Sequence, residues 1–177
     1  MATSASIQSL IDALVRSTGG SDPFSAIRAK ARIALDQYSS TFGELTPPVN
    51  VEALASFLGI AISDDYPAHS KDAELVPTKD GKVSIRVNPD RPESRKRFSL
   101  GHEISHTFFP NFQMKTWCRT DARHRNRNDP NDLVEMLCDV GSAELLMPVR
   151  PFGAHAAPET CRAVTHRGPV SLDAAGR

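Results

Sequence analysis

His102-Glu103-Ile104-Ser105-His106 sets two imidazoles four residues apart, with a carboxylate next to the first. On an α-helix, residues four apart share a face, so His102 and His106 can offer ring nitrogens to one ion. Glu103 is turned from them by about 100°, a place from which it can take a proton from a water that the ion polarises. Zinc suits this pattern, because it takes imidazole nitrogens at about 2.0–2.1 Å, stays tetrahedral and brings the pKa of a bound water to about 7. Manganese or another divalent ion would use the same ligands. Two histidines at this spacing also occur in ordinary core helices, so the chemistry depends on a third ligand.

The stretch Asp129-Pro130-Asn131-Asp132-Leu133-Val134-Glu135-Met136-Leu137-Cys138-Asp139 supplies one. Asp129 is placed as an N-cap and Pro130 as the first helical residue. Glu135 and Asp139 are again four apart. Glu135 would complete a His2Glu site that leaves one coordination position open. Asp139, one turn on, is placed to accept a hydrogen bond from the second ring nitrogen of a ligating histidine and so fix its tautomer. An acidic face on a surface helix is the plainer reading of Glu135 and Asp139 alone; the two segments together favour the metal site.

Arg97-Phe98-Ser99-Leu100-Gly101-His102-Glu103-Ile104-Ser105-His106, followed by Glu135 and then Ala143-Glu144-Leu145-Leu146-Met147-Pro148, resembles the ImmA/IrrE family of metallopeptidases. Members typically read R-F-T-L-A-H-E-L-G-H and later E-x-E-A-N-x-F-A-A-x-L-L-M-P. Upstream, Pro48-Val49-Asn50-Val51-Glu52-Ala53-Leu54-Ala55-Ser56-Phe57-Leu58-Gly59-Ile60 is similar to the family's P-V-D-V-E-A-L-A-x-x-L-G-I, so the resemblance spans roughly residues 24–148. It implies that His102, His106 and Glu135 hold the metal and that Glu103 is the catalytic glutamate. It also implies a substrate: a helix-turn-helix repressor whose cleavage releases stress or mobile-element genes. Three departures stand out. Ser105 replaces a glycine, Leu137 replaces the second glutamate of E-x-E-A-N, and Gly141-Ser142-Ala143 replaces F-A-A.

Elements must position these residues, and the chain is long enough to bury a core around them. Ile7, Leu10, Ile11, Leu14 and Val15 mark an amphipathic helix before Gly19-Gly20. Asp22-Pro23 opens a second, with Phe24, Ile27, Ala31, Leu35 and Tyr38 inward and Arg28, Lys30 and Arg32 on a solvated face. Asn50 caps a short third helix, stapled by Val49 and Leu54 and closed by Gly59. Ile60–Ser63 reads as a strand, and residues 73–78 and 82–88 as a hairpin with a two-residue turn at Asp80-Gly81. Pro77 suits the edge of that sheet. An exposed edge near the metal helix would let an extended substrate pair with it. The expected fold is α+β and zincin-like, with N-terminal helices, a small mostly antiparallel sheet and two metal-site helices. Its expected divisions are an accessory helix over 1–22, the peptidase domain over 23–148 and a tail over 149–177.

Charge and cysteine usage narrow the setting. Lys plus Arg and Asp plus Glu balance at 21 each, so the chain as a whole is no general polyanion binder. Three irregularly spaced cysteines form no disulfide framework, and no run is long or apolar enough for a membrane span or a signal peptide, which points to the cytoplasm. Between the two metal-site segments lie Arg119, Arg123, Arg125 and Arg127 in a polar loop without aromatic partners, which reads as a solvated loop or one that docks an acidic substrate rather than one that grips nucleic acid. His124, Tyr66 and His69 are the candidates for stabilising the oxyanion. The expected activity is zinc-dependent peptide hydrolysis. The alternative is a metal-containing regulator that binds a repressor or toxin-system partner without cutting it.

Overall fold

The computed structural model describes residues 4–46, 48–64, 72–110, 117–118 and 126–148. Three helices come first: α1 (Ser4–Ser17), α2 (Pro23–Phe42) and α3 (Val51–Phe57). Strands β1 (Ala61–Ser63), β2 (Ala73–Pro77) and β3 (Val83–Val87) follow, then α4 (Glu93–His106), β4 (Trp117–Cys118) and α5 (Pro130–Leu146). The architecture is α+β, as a zincin-like domain requires. No helix among the described residues is long and apolar enough to cross a membrane.

Local chemistry accounts for the helix boundaries. Asp22 accepts a hydrogen bond from Ser25 N–H ahead of Pro23, and Asn50 accepts one from Ala53 N–H. Asp129 accepts one from Asn131 N–H ahead of Pro130. Each satisfies an amide that the helix itself leaves without a partner. Gly59, at φ 75°, ends α3, and Ile60 N–H reaches back to Ala55 O. That is the left-handed closure glycine permits. Val49 and Leu54 are both buried at the start of the same helix, as a staple would be.

The strands run in the order β1-β3-β2-β4. β2 pairs antiparallel with β3 and with β4, while β1 pairs parallel with β3, so the sheet is mixed. β3 buries Val83, Ile85 and Val87 and leaves Ser84 and Arg86 half-buried, the alternation its sequence displays. Pro77 sits at the end of β2, beyond the two residues, Glu74 and Leu75, that β4 covers. The hairpin departs from the two-residue expectation. Thr78 N–H donates to Lys82 O and Gly81 N–H to Thr78 O, which closes a longer loop with Gly81 at φ 78°. A type I turn followed by a left-handed glycine produces this shape, and Asp-Gly serves it as readily as the shorter turn.

α4 lies between the sheet and α5, with α2 and α1 packed behind α5. Ile7, Ile11 and Leu14 of α1 join Ile27, Ala31 and Leu35 of α2 in the same core as Leu100 and Ile104 of α4 and Val134, Leu137 and Leu145 of α5. Arg32 is half exposed, on the solvated face expected of it, and its guanidinium also pairs with α5. It reaches back to the buried Glu144 of α5 at 2.8 Å. Asp72, just before β2, receives Arg91 at 2.9 Å and Arg95 at 2.7 Å, which ties the sheet to the entry of α4.

Candidate metal centre

Every residue from Ser99 to His106 is buried, two full turns enclosed on all sides. A polar stretch can be buried this way only if its neighbours answer its hydrogen-bonding groups. α5 does so. His102 Nε2 lies 3.2 Å from Glu135 Oε2, and His106 Nε2 lies 3.6 Å from Glu135 Oε1. The other face of His102 meets Asp139, with Nδ1 2.8 Å from Oδ1. The two rings stand 5.0 Å apart and nearly perpendicular. Glu103 is fully buried. Its charge adds to the field on His102.

Two nitrogens and one carboxylate so arranged fit an ion. Bonds of about 2.0–2.1 Å in a tetrahedron separate neighbouring ligands by about 3.3 Å. The distances of 3.2 and 3.6 Å from the two Nε2 atoms to Glu135 bracket that edge. Both rings are wholly buried, while the Asp139 side chain is 27% exposed, so the cluster meets solvent on that side. A surface groove of about 430 Å³ between α2, the end of α3, the start of β3 and Thr107-Phe108 just past α4 is lined by none of these residues.

Two helices reach this separation only because small residues line their seam. A Cβ at Gly101 would lie 2.6 Å from Ser142 Oγ, and one at Gly141 would lie 2.5 Å from Ser105 Oγ. Each helix therefore seats a serine against the other's glycine. Ser105 Oγ–H donates to Gly101 O and Ser142 Oγ–H to Phe98 O, so neither hydroxyl is buried without a partner. The departures from the family pattern now make sense as pairs. Ser105 for glycine goes with Gly141 for phenylalanine, and Gly101 and Ser142 stand where the pattern has two alanines.

The chain matches the family model described as the IrrE N-terminal-like domain, peptidase M78, over residues 61–172. It belongs to that family of metallopeptidases. The match starts at β1 and runs through most of the stretch read as a tail, while the similarity noted at residues 48–60 precedes it. No curated protein matches the chain.

In this metallopeptidase the structure brings together His102, Glu103, His106, Glu135 and Asp139, from two helices separated by a long connection. It also brings in Cys138, which sequence reasoning missed. The donor atoms of His102, His106 and Cys138 all lie within 4.8 Å of one another, a buried group able to hold a metal. The available signal was its spacing: Cys138 follows Glu135 by three and precedes Asp139 by one, on the same helical face. His124, Tyr66, His69, Arg119, Arg123 and Arg125 lie outside the described residues, as does the stretch 149–177. Arg127 is described and lies over the ring of Phe24, 5.5 Å from its centroid.

Burial alone would lower the pKa of His102. Its hydrogen bonds to Asp139 and Glu135, with the charges of Glu103 and Glu135, outweigh that and raise it to about 9. In the metal-free protein at neutral pH the ring therefore carries a proton between two carboxylates. A divalent cation would take that proton's place.

Proposed function

We propose that this protein is a zinc-dependent endopeptidase that cleaves a specific helix-turn-helix repressor and so relieves repression. His102 Nε2, His106 Nε2 and one Glu135 oxygen are the residues that would hold the ion, with Asp139 orienting His102. When bound, zinc or a similar divalent ion supplies Lewis acidity to the scissile carbonyl and to a water. Glu103 takes the proton as the water oxygen adds to the carbonyl carbon, then delivers it to the amine as the C–N bond breaks. The buried setting strengthens this role, because no bulk water competes for the carboxylate.

The observation that carries the reading is the convergence of both Nε2 atoms on one buried carboxylate, at 3.2 and 3.6 Å. Membership of a peptidase family makes a protein substrate the expected one. The resemblance to ImmA/IrrE proteins narrows it to a repressor. A compact domain must draw selectivity from docking as well as from the cleft.

The test is to incubate purified protein with a candidate repressor, with and without zinc, and map products by intact mass. Cleavage in the repressor's linker, abolished by Glu103→Gln while binding persists, supports the proposal. Stable binding without cleavage by wild type and variant alike would instead favour a non-catalytic regulator.

A further inference from the structure

Adjacent residues of α5 address the far sides of both histidines. Asp139 Oδ1 stands 2.8 Å from His102 Nδ1, and Cys138 Sγ stands 3.2 Å from His106 Nδ1. Cys138 is fully buried, so its sulfur is fixed by packing rather than sampling solvent. We infer that Cys138 is the positioning residue for His106. Its sulfur accepts the Nδ1–H of that ring, which leaves the Nε2 lone pair directed at the side where Glu135 lies.

This inference rests on the metal-centre reading above, and it assigns Cys138 against the other role its place allows. In a His102–His106–Cys138 ligand set the sulfur would sit on the Nδ1 side of His106, 3.2 Å from that nitrogen and facing away from Glu135. His102 already has its Nδ1 against Asp139, so the nitrogen it can give an ion is Nε2, on the Glu135 side. Only Nε2 from both rings converges on one carboxylate. Cys138 then acts as Asp139 does, one residue along the helix, with a softer acceptor.

The two histidines are consequently unequal. A carboxylate holds the N–H of His102 with a charge-assisted hydrogen bond, whereas a thiol is a weak acceptor. His106 is the more loosely aimed of the two. Losing its partner costs metal affinity by the route known for such outer partners, on the order of 10–100-fold.

The experiment uses the full chain loaded with cobalt(II), comparing wild type with Cys138→Ala and Cys138→Ser. Wild type should bind cobalt and show ligand-field bands without a near-ultraviolet thiolate-to-cobalt charge-transfer band. Cobalt affinity should fall about 10–100-fold in Cys138→Ala and recover largely in Cys138→Ser, whose hydroxyl can accept the same N–H. Melting of the metal-free proteins separates positioning from packing. A loss of cobalt affinity in Cys138→Ala that exceeds any loss in its metal-free melting, and that Cys138→Ser restores, is the positioning effect and not a packing defect. A charge-transfer band that disappears in both variants would overturn the inference by making Cys138 a ligand. Equal affinities in all three proteins would overturn it by reducing the sulfur to filler. No cobalt binding by wild type would overturn the metal centre itself, and this inference with it.

Discussion

Glu135 and Glu144 occupy the same helix and are each 7% exposed, yet they meet opposite surroundings. Glu144 is answered by a permanent cation, Arg32, at 2.8 Å. Glu135 faces two imidazoles, groups that carry charge only while a proton stays on them. A buried carboxylate with a fixed counter-ion ties helices together. One that faces titratable nitrogens holds a place where a proton and a metal ion can exchange. Burial by itself distinguishes neither; the partner does.

The largest expected effect separates the two glutamates directly. Glu135→Ala should lower zinc affinity by more than about 100-fold, beyond the loss typical of an outer partner. Glu144→Ala should leave it within about twofold of wild type, measured by competition with a metal indicator. Equal losses would mean that the Glu144 end of α5 also shapes the site. Asp139→Asn sharpens the same contrast with a smaller loss, about 10–100-fold in affinity at unchanged secondary structure, because the amide still reaches His102 but without charge.

Next in size is the cost of the structural pair. Arg32→Ala leaves Glu144 buried without its cation and should cost about 1–3 kcal/mol in denaturant unfolding. The low end is expected, because the guanidinium is half in water. The seam beside the site offers a matching experiment. Gly141→Ala forces a Cβ to within 2.5 Å of Ser105 Oγ and should cost about 1–3 kcal/mol. Adding Ser105→Gly should return most of that loss, giving a coupling of about 0.5–3 kcal/mol. Additive effects would show that Ser105 is not what occupies that space.

Much of this contrast could be read in the residues themselves. Helix caps at Asp22, Asn50 and Asp129 depend on local chemistry, and each forms as expected. The pairs His102 and His106, and Glu135 and Asp139, follow from helical spacing, which a sequence displays directly. The Arg32–Glu144 bridge does not, because it joins residues 112 apart and depends on how α2 packs on α5. Cys138 was hidden for a related reason: a buried cysteine at core spacing usually behaves as a small apolar side chain. Only the register of α4 against α5 puts its sulfur at His106. That register also pairs the glycines with the serines, so the seam's substitutions look unrelated until the helices are docked.

A smaller effect concerns the proton that Glu135 shares. The pKa of His102 is raised from 6.5 to about 9 in the folded, metal-free protein. A raised pKa contributes stability that is fully present below about 6.5 and lost as pH rises through about 9. The melting temperature of the metal-free protein should therefore fall across that window, and fall less in Asp139→Asn. Zinc uptake within the window should release about one proton per ion, seen as a buffer-dependent heat in titration calorimetry. No such dependence would place the proton elsewhere.

The most direct measurement is metal content of the purified protein by elemental analysis, wild type beside the double variant His102→Ala, His106→Ala. About one divalent ion per chain in wild type and essentially none in the variant is the predicted result. Full occupancy persisting in the double variant would contradict a metal centre at these histidines.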